Sequence, residues 1–185
     1  MKKLSRSAIL IVIGALAIFY ISAEVKSAEI DTDVNIFLGA ARKKLNKGDF
    51  DGAVESFNSA ISLDEKNLEA RMGLGYIYLQ TGALDKAIEY FTKAISLNNQ
   101  NSTAYSGLGH SYLRKGDLDK AIEYFTKAIS LDEKNPYAYV GLIRAYSSYN
   151  DEYYKSEISM ILEKLEKIDQ SLSKQLSGSL KKKKK

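Results

Sequence analysis

LDKAIEYFTKAISL runs from Leu84 to Leu97, and the same fourteen residues return, letter for letter, from Leu118 to Leu131. The two copies start 34 residues apart. A fixed period of this size marks a repeat architecture, in which each unit buries its apolar side against its neighbours. Written in blocks of 34, the chain aligns without gaps over 34–67, 68–101 and 102–135. A fourth block opens at Pro136 and then departs from the pattern.

Each block spells two helices. In the third, Tyr105, Leu108, Gly109 and Tyr112 fall on one helical face, and so do Ala121, Ile122, Phe125, Ala128 and Ile129. Between them, Gly116 can close one helix in the left-handed conformation, and Asp117 or Asp119 can cap the next. Asn67, Asn101 and Asn135 close the blocks, each placed to accept a hydrogen bond from the first turn of the following helix. Pro136 suits a first helical position, where no backbone N–H is needed. Small residues recur at fixed places: Ala41, Gly75 and Gly109 on the first helix, Ala53, Ala87 and Ala121 and then Ala60, Ala94 and Ala128 on the second. Phe57, Phe91 and Phe125 stand ready to fill the gaps beside them.

A 34-residue helix–turn–helix unit with Tyr105, Leu108, Gly109, Tyr112, Gly116, Ala121, Phe125 and Ala128 at these places resembles the tetratricopeptide repeat (TPR). The resemblance covers 34–135 and reaches to about Tyr146. It departs at Glu65, Asn99 and Glu133, where the family often has proline, and at Lys44, which replaces an aromatic residue. It implies an all-α, right-handed α-solenoid of about three and a half helix–turn–helix repeats with a C-terminal capping helix.

Beyond Tyr146, Asn150-Asp151 interrupts the pattern. Ile158, Ile161, Leu162, Leu165, Ile168 and Leu172 then form an apolar stripe, with Glu163, Lys164, Glu166 and Lys167 opposite. This reads as one long amphipathic helix that caps the array, or as a helix that pairs with a partner. Gly178 should break it, and Lys181–Lys185 should form a disordered tail.

At the other end, Lys2, Lys3 and Arg6 precede Ala8–Ile21, fourteen apolar residues without interruption. Spanning a bilayer takes about 20. The run fits a signal peptide cleaved after Ala23, or an uncleaved N-terminal membrane anchor. Either sends the body across a membrane, so the protein is expected to be exported (periplasmic or extracellular) or anchored to the membrane. The expected plan is a signal or anchor at 1–23, a linker at 24–33, repeats at 34–67, 68–101 and 102–135, a partial fourth repeat with capping helix at 136–176, and a Lys-rich tail at 177–185.

Composition narrows the chemistry. There is no cysteine, and His110 is the single histidine, which excludes disulfides, thiolate sites and a multi-histidine metal centre. No cofactor is expected. Three basic residues before Glu24 and five after Leu180 leave a formal −4 for 24–180 out of an overall +4. The basic character lies at the two ends, so no nucleic-acid-binding face is expected. Gly73-Leu74-Gly75 and Gly107-Leu108-Gly109 lie inside helices and are not nucleotide loops.

In the family that this sequence resembles, the first helices line a concave surface holding a peptide or helix of a partner. The matching residues here are Leu38, Arg42 and Leu45; Met72, Tyr76 and Leu79; Ser106, His110, Leu113 and Arg114; and Val140 and Arg144. Some relatives grip a terminal carboxylate with paired Lys and Asn, but the matching places here hold Asn35, Leu38, Arg42, Met72, Gly73, Tyr76 and Ser106, so that clamp is missing. Gly39, Gly73, Gly107 and Gly141 recur every 34 residues on the same helices, at a cost of about 1 kcal/mol each against alanine. Either a ligand backbone approaches them or neighbouring helices pack tightly there. His110 has no Ser, Cys or Asp partner in view and reads as a groove residue. The resemblance implies a non-catalytic protein–protein interaction module with a protein or peptide partner. The alternative is a structural protein that assembles with its own copies through this face, its ends or its last helix.

Overall fold

The computed structural model describes residues 6–149 and 152–182. Lys2, Lys3, Asn150, Asp151 and Lys183–Lys185, which entered the reading above, lie outside the described residues. Among the described residues the fold is all-α. The chain divides into two units, 1–67 and 68–185.

The first unit is a helical pair, α1 (Arg6–Asn46) and α2 (Phe50–Leu63). The second holds α3 (Leu68–Thr81), α4 (Leu84–Leu97), α5 (Ser102–Lys115), α6 (Leu118–Leu131), α7 (Pro136–Ser148), a 3-10 turn at Glu152–Tyr154, α8 (Lys155–Ile168) and α9 (Gln170–Lys182). Consecutive helices pack as hairpins, α3 on α4, α5 on α6 and α7 on α8, and the first helices α3, α5 and α7 are neighbours in turn.

Local chemistry sets these lengths. Gly48, Gly82 and Gly116 sit at φ 75°, 88° and 84°, where an L side chain is strained, and each closes a first helix. Asp49 accepts from Gly52 N–H at 2.9 Å and Asp117 from Lys120 N–H at 3.2 Å, starting α2 and α6. α4 starts at Ala83 with no side-chain cap. At the far ends, Asp64, Asn98 and Asp132 turn the chain into extended backbone. Asn101 and Asn135 accept from Ala104 and Ala138 N–H at 2.9 and 3.2 Å, and Pro136 occupies the first turn of α7.

α1 is longer than the sequence plan suggests. Residues 24–33, read as a linker, are helical and mostly exposed. No glycine or proline lies between Ala15 and Leu38 to stop the helix, and Thr32 returns its hydroxyl to the Ala28 carbonyl at 2.8 Å. Among the described residues no helix is long and apolar enough to cross a membrane.

In the second unit, packing turns on two phenylalanine rings. Phe91 of α4 and Phe125 of α6 are fully buried, each worth about 1.5–3 kcal/mol of burial. A Cβ built on Gly75 would lie 2.8 Å from the Phe91 ring, and one on Gly107 2.5 Å from it. Phe125 stands in the same relation to Gly109 and Gly141. Each ring therefore lies between the first helix of its own hairpin and that of the next. At Gly107 and Gly141 the choice between ligand approach and neighbour packing is decided for packing. Gly39 has nothing within 4 Å of an added Cβ.

A buried polar chain also ties the third and fourth hairpins. Asn135 Nδ2 donates to Ser102 Oγ at 2.8 Å, and Ser102 Oγ donates to the Ala128 carbonyl at 2.9 Å.

The array ends differently from the single long helix read from the stripe. α8 stops at Ile168, and Asp169, in extended conformation, accepts from Leu172 N–H at 2.9 Å to start α9. Leu176 of α9 folds back into a buried cluster with Tyr139, Val140, Ile143 and Leu165. α8 thus completes the fourth hairpin, and α9 is the cap. Gly178 does not break α9, because Leu176 and Leu180 on either side of it pack on that cluster. Lys181 and Lys182, read as tail, belong to the helix.

Substitution separates the two kinds of helical glycine. Gly107→Ala should destabilise the fold by about 1–3 kcal/mol through overpacking of Phe91. Gly39→Ala should stabilise it by up to about 1 kcal/mol through helix propensity. Urea denaturation of each variant reads both signs, and a gain at Gly107 would contradict the packing described.

Candidate functional site

The first helices carry the residues assigned above to a recognition face, and the structure sorts them by exposure. In the first unit, Leu38 is buried at 5% exposure, Leu45 is half-buried and Arg42 is exposed. Lys44 reaches across to α2, donating to the Gly52 carbonyl and to Ser56 Oγ, both at 3.1 Å. It replaces an aromatic contact with two hydrogen bonds.

In the second unit, Ser106 (3% exposed) and Val140 (7%) are buried and present no surface. The reason at Val140 is α9: Leu176 packs into the same cluster. The Ser106 hydroxyl makes no hydrogen bond among the described residues. Met72 and Leu79 are half-buried against the cluster of Ala87, Phe91 and Leu108. Leu113 packs against the Phe125 cluster. Arg114 donates to the Leu79 carbonyl in the last turn of α3, where a cation complements the helix end.

Tyr76, Arg114 and Arg144 are exposed and His110 is half-buried, and Tyr137, which the sequence reading did not assign to this face, is exposed as well. Tyr76 is 41% exposed and Tyr137 67%. Tyr76 meets Phe91 edge-on, with ring centroids 5.2 Å apart. His110 meets Phe125 in the same way, at 4.8 Å and 74°. The two rings that fill the glycine gaps therefore also support the two aromatic residues on the face. Tyr137 is near enough to Tyr76 and His110 to affect the titration of both. The period held a signal for it: Tyr137 lies one block after Thr103, in the exposed first turn of its helix.

Titration follows from this setting. Burial brings the His110 imidazole down to about 4, and the Arg144 cation adds to the effect; contact with the Tyr137 backbone works weakly the other way. His110 is thus a neutral ring near pH 7. The Tyr76 residue is partly exposed, yet burial around its hydroxyl, and then Tyr137, push its pKa up to about 12. The face near neutral pH is aromatic and hydrogen-bonding, with the permanent cation of Arg144 at its edge. Among the described residues no group of three His, Asp or Glu side chains could hold a metal ion.

Residues 38–102 and 102–135 each match the tetratricopeptide repeat. No curated protein sequence matches the chain. Among solved structures, MamA aligns over 94% of this chain and 99% of its own, at 25% identity and a TM-score of 0.65. An O-GlcNAc transferase of Thermobaculum terrenum aligns over 75% of this chain at 17% identity and a TM-score of 0.68. The chain spans only 26% of that enzyme. The second TPR domain of human RPAP3, solved in complex with an HSP70 peptide, aligns over 63% of this chain and 97% of its own, at 21% identity and a TM-score of 0.59. At 17% and 21% identity the likeness is one of fold.

His110 offers a direct check. Its folded-state value lies below the ordinary 6.5. The unfolded chain therefore takes up a proton first, so stability is complete above about pH 6.5 and falls as pH drops toward 4. The imidazole NMR signal of this single histidine should titrate near pH 4, and Arg144→Gln should raise the midpoint. A parent midpoint between 6 and 7 would contradict the buried setting.

Proposed function

Because this chain belongs to the tetratricopeptide-repeat family, we propose that it is a non-catalytic scaffold that docks a partner's peptide or helix on the first-helix face of its second unit. We place the docking centre at Tyr76, His110, Tyr137 and Arg144. The observation that carries this reading is the exposure of both Tyr76 and Tyr137. Two tyrosines are left open on a face whose other apolar residues are half-buried (Met72, Leu79 and Leu113) or buried (Val140). Tyrosine and arginine lead the residue types that dominate binding energy at interfaces, because they offer area together with polar ends. The HSP70 peptide on the second TPR domain of RPAP3 supports peptide docking as a use of the fold. The clamp residues are missing here, so the proposed partner is not a chaperone tail.

The same proposal includes export or membrane tethering through the basic start and the apolar run Ala8–Ile21. Fractionation of the native cell should recover the protein outside the cytoplasm or with membranes. Recovery in the soluble cytoplasm would overturn that half of the proposal.

Docking is tested by capture. The immobilised full chain is exposed to native extract beside a Tyr76→Ala/Tyr137→Ala variant, with thermal unfolding of both as control. Loss of such anchors costs about 2 kcal/mol or more, roughly thirtyfold in affinity. A protein kept by the parent and lost by an equally folded variant is the expected result. Equal retention by both would remove the docking centre. Retention only of the chain's own copies would favour self-assembly.

A further inference from the structure

The second unit carries a regular arrangement of tyrosine and lysine away from the face described above. Tyr78 stacks on Tyr90 at 5.5 Å, and Tyr112 on Tyr124 at 5.4 Å. Lys86 Nζ lies 5.1 Å from the Tyr78 ring centroid, and Lys120 Nζ lies 5.0 Å from that of Tyr112. Each lysine is the third residue of the second helix in its hairpin. An ammonium within about 6 Å of a ring centroid is held by the ring's negative face. Two successive hairpins thus fill one tyrosine position with a cation of their own.

The fourth hairpin keeps the tyrosine and inverts the charge. Tyr146 stands 34 residues after Tyr112; Tyr154 stands 34 after Lys120, and because α8 starts three residues late, the third residue of that helix is Glu157. Three further tyrosines gather there. Tyr154 stacks on Tyr146 at 4.8 Å, tilts against Tyr149 at 5.1 Å and meets Tyr153 edge-on at 5.2 Å. With Asp119, Ile122 and Glu157 they line a hollow of about 430 Å³, within the usual size of small-ligand sites. Among the described residues, the lining has two carboxylates and no basic side chain. The Tyr149 hydroxyl donates to Asp119 Oδ1, which fixes both groups at the rim.

We propose that this hollow binds an organic cation, a quaternary or alkyl ammonium group, supplying from outside the positive charge that each of the two preceding hairpins provides with its own lysine. The aromatic faces attract the cation, and Glu157 and Asp119 balance its charge. Two sources share this chemistry: a free small molecule of the choline type, and a methylated lysine side chain of another protein. The proposal does not depend on docking at Tyr76 and Tyr137, which belong to a different face.

The test uses the full chain, with tyrosine ring signals followed by NMR. Choline and N-acetyl-trimethyllysine amide are titrated beside 3,3-dimethylbutan-1-ol, the neutral counterpart of choline. Saturable shifts at Tyr146, Tyr153 and Tyr154 with the cations, and binding at least about tenfold weaker for the neutral alcohol, are the expected result. Glu157→Lys should abolish binding without loss of thermal stability, because it supplies a positive charge from the chain itself, as in the earlier hairpins. Glu157→Gln, which preserves shape, should weaken binding and serves if the lysine variant does not fold. Tighter binding of the lysine derivative points to a protein side chain, and tighter binding of choline to a free molecule. Equal binding of the neutral alcohol, absence of saturation, or parent-like binding by a folded Glu157→Lys variant would overturn the proposal.

Discussion

A phenyl ring held between two glycine-bearing helices is the constraint on which the second unit depends. Phe91 belongs to α4, yet it presses on Gly75 of α3 and on Gly107 of α5, and Phe125 repeats the arrangement with Gly109 and Gly141. α5 therefore needs two glycines two residues apart: Gly107 receives the ring of the preceding hairpin, and Gly109 that of its own. Helix-interior glycine costs about 1 kcal/mol. Full burial of a phenylalanine offsets that cost, because the missing Cβ atoms admit the ring. Within the second unit the 34-residue period is the sequence trace of this contact, since each of its interfaces between hairpins presents the same gap to the same ring.

The same rings connect stability to the proposed docking face. Tyr76 rests edge-on against Phe91 and His110 against Phe125, so the exposed tyrosine and the half-buried histidine inherit their positions from the interior. The face needs no loop to hold it. Its neighbours Met72, Leu79 and Leu113 are partly used by packing, which concentrates the presented chemistry into a few side chains. At the end of the array α9 covers Val140, so the face closes where the cap begins.

Much of this was legible in the sequence because repetition multiplies each signal. The helix boundaries follow from Gly48, Gly82 and Gly116 and from the asparagines that close the blocks. Features that depend on single residues were not legible. Lys44 could be read as a lost aromatic, but its hydrogen bonds to Gly52 and Ser56 exist only once α2 lies against α1. The Asn135–Ser102–Ala128 chain joins residues that sequence order keeps apart. The apolar stripe hid the break at Asp169, because Ile168 and Leu172 keep a helical spacing of four across it. The capping side chain of Asp169 was the available clue. On the proposed docking face, the family pattern suggested helices and positions, but could not show which side chains the interior would claim.

The most direct test of this account is a double-mutant cycle joining Gly107→Ala to Phe91→Leu, measured by urea denaturation. If the ring occupies the space of the missing Cβ, shrinking it should relieve the cost of the alanine. The cycle should then show a coupling of about 1 kcal/mol or more, in the range found for residues in contact. Effects that add within about 0.5 kcal/mol would mean that ring and glycine act independently, and would contradict the constraint from which the stacking and the face have been derived.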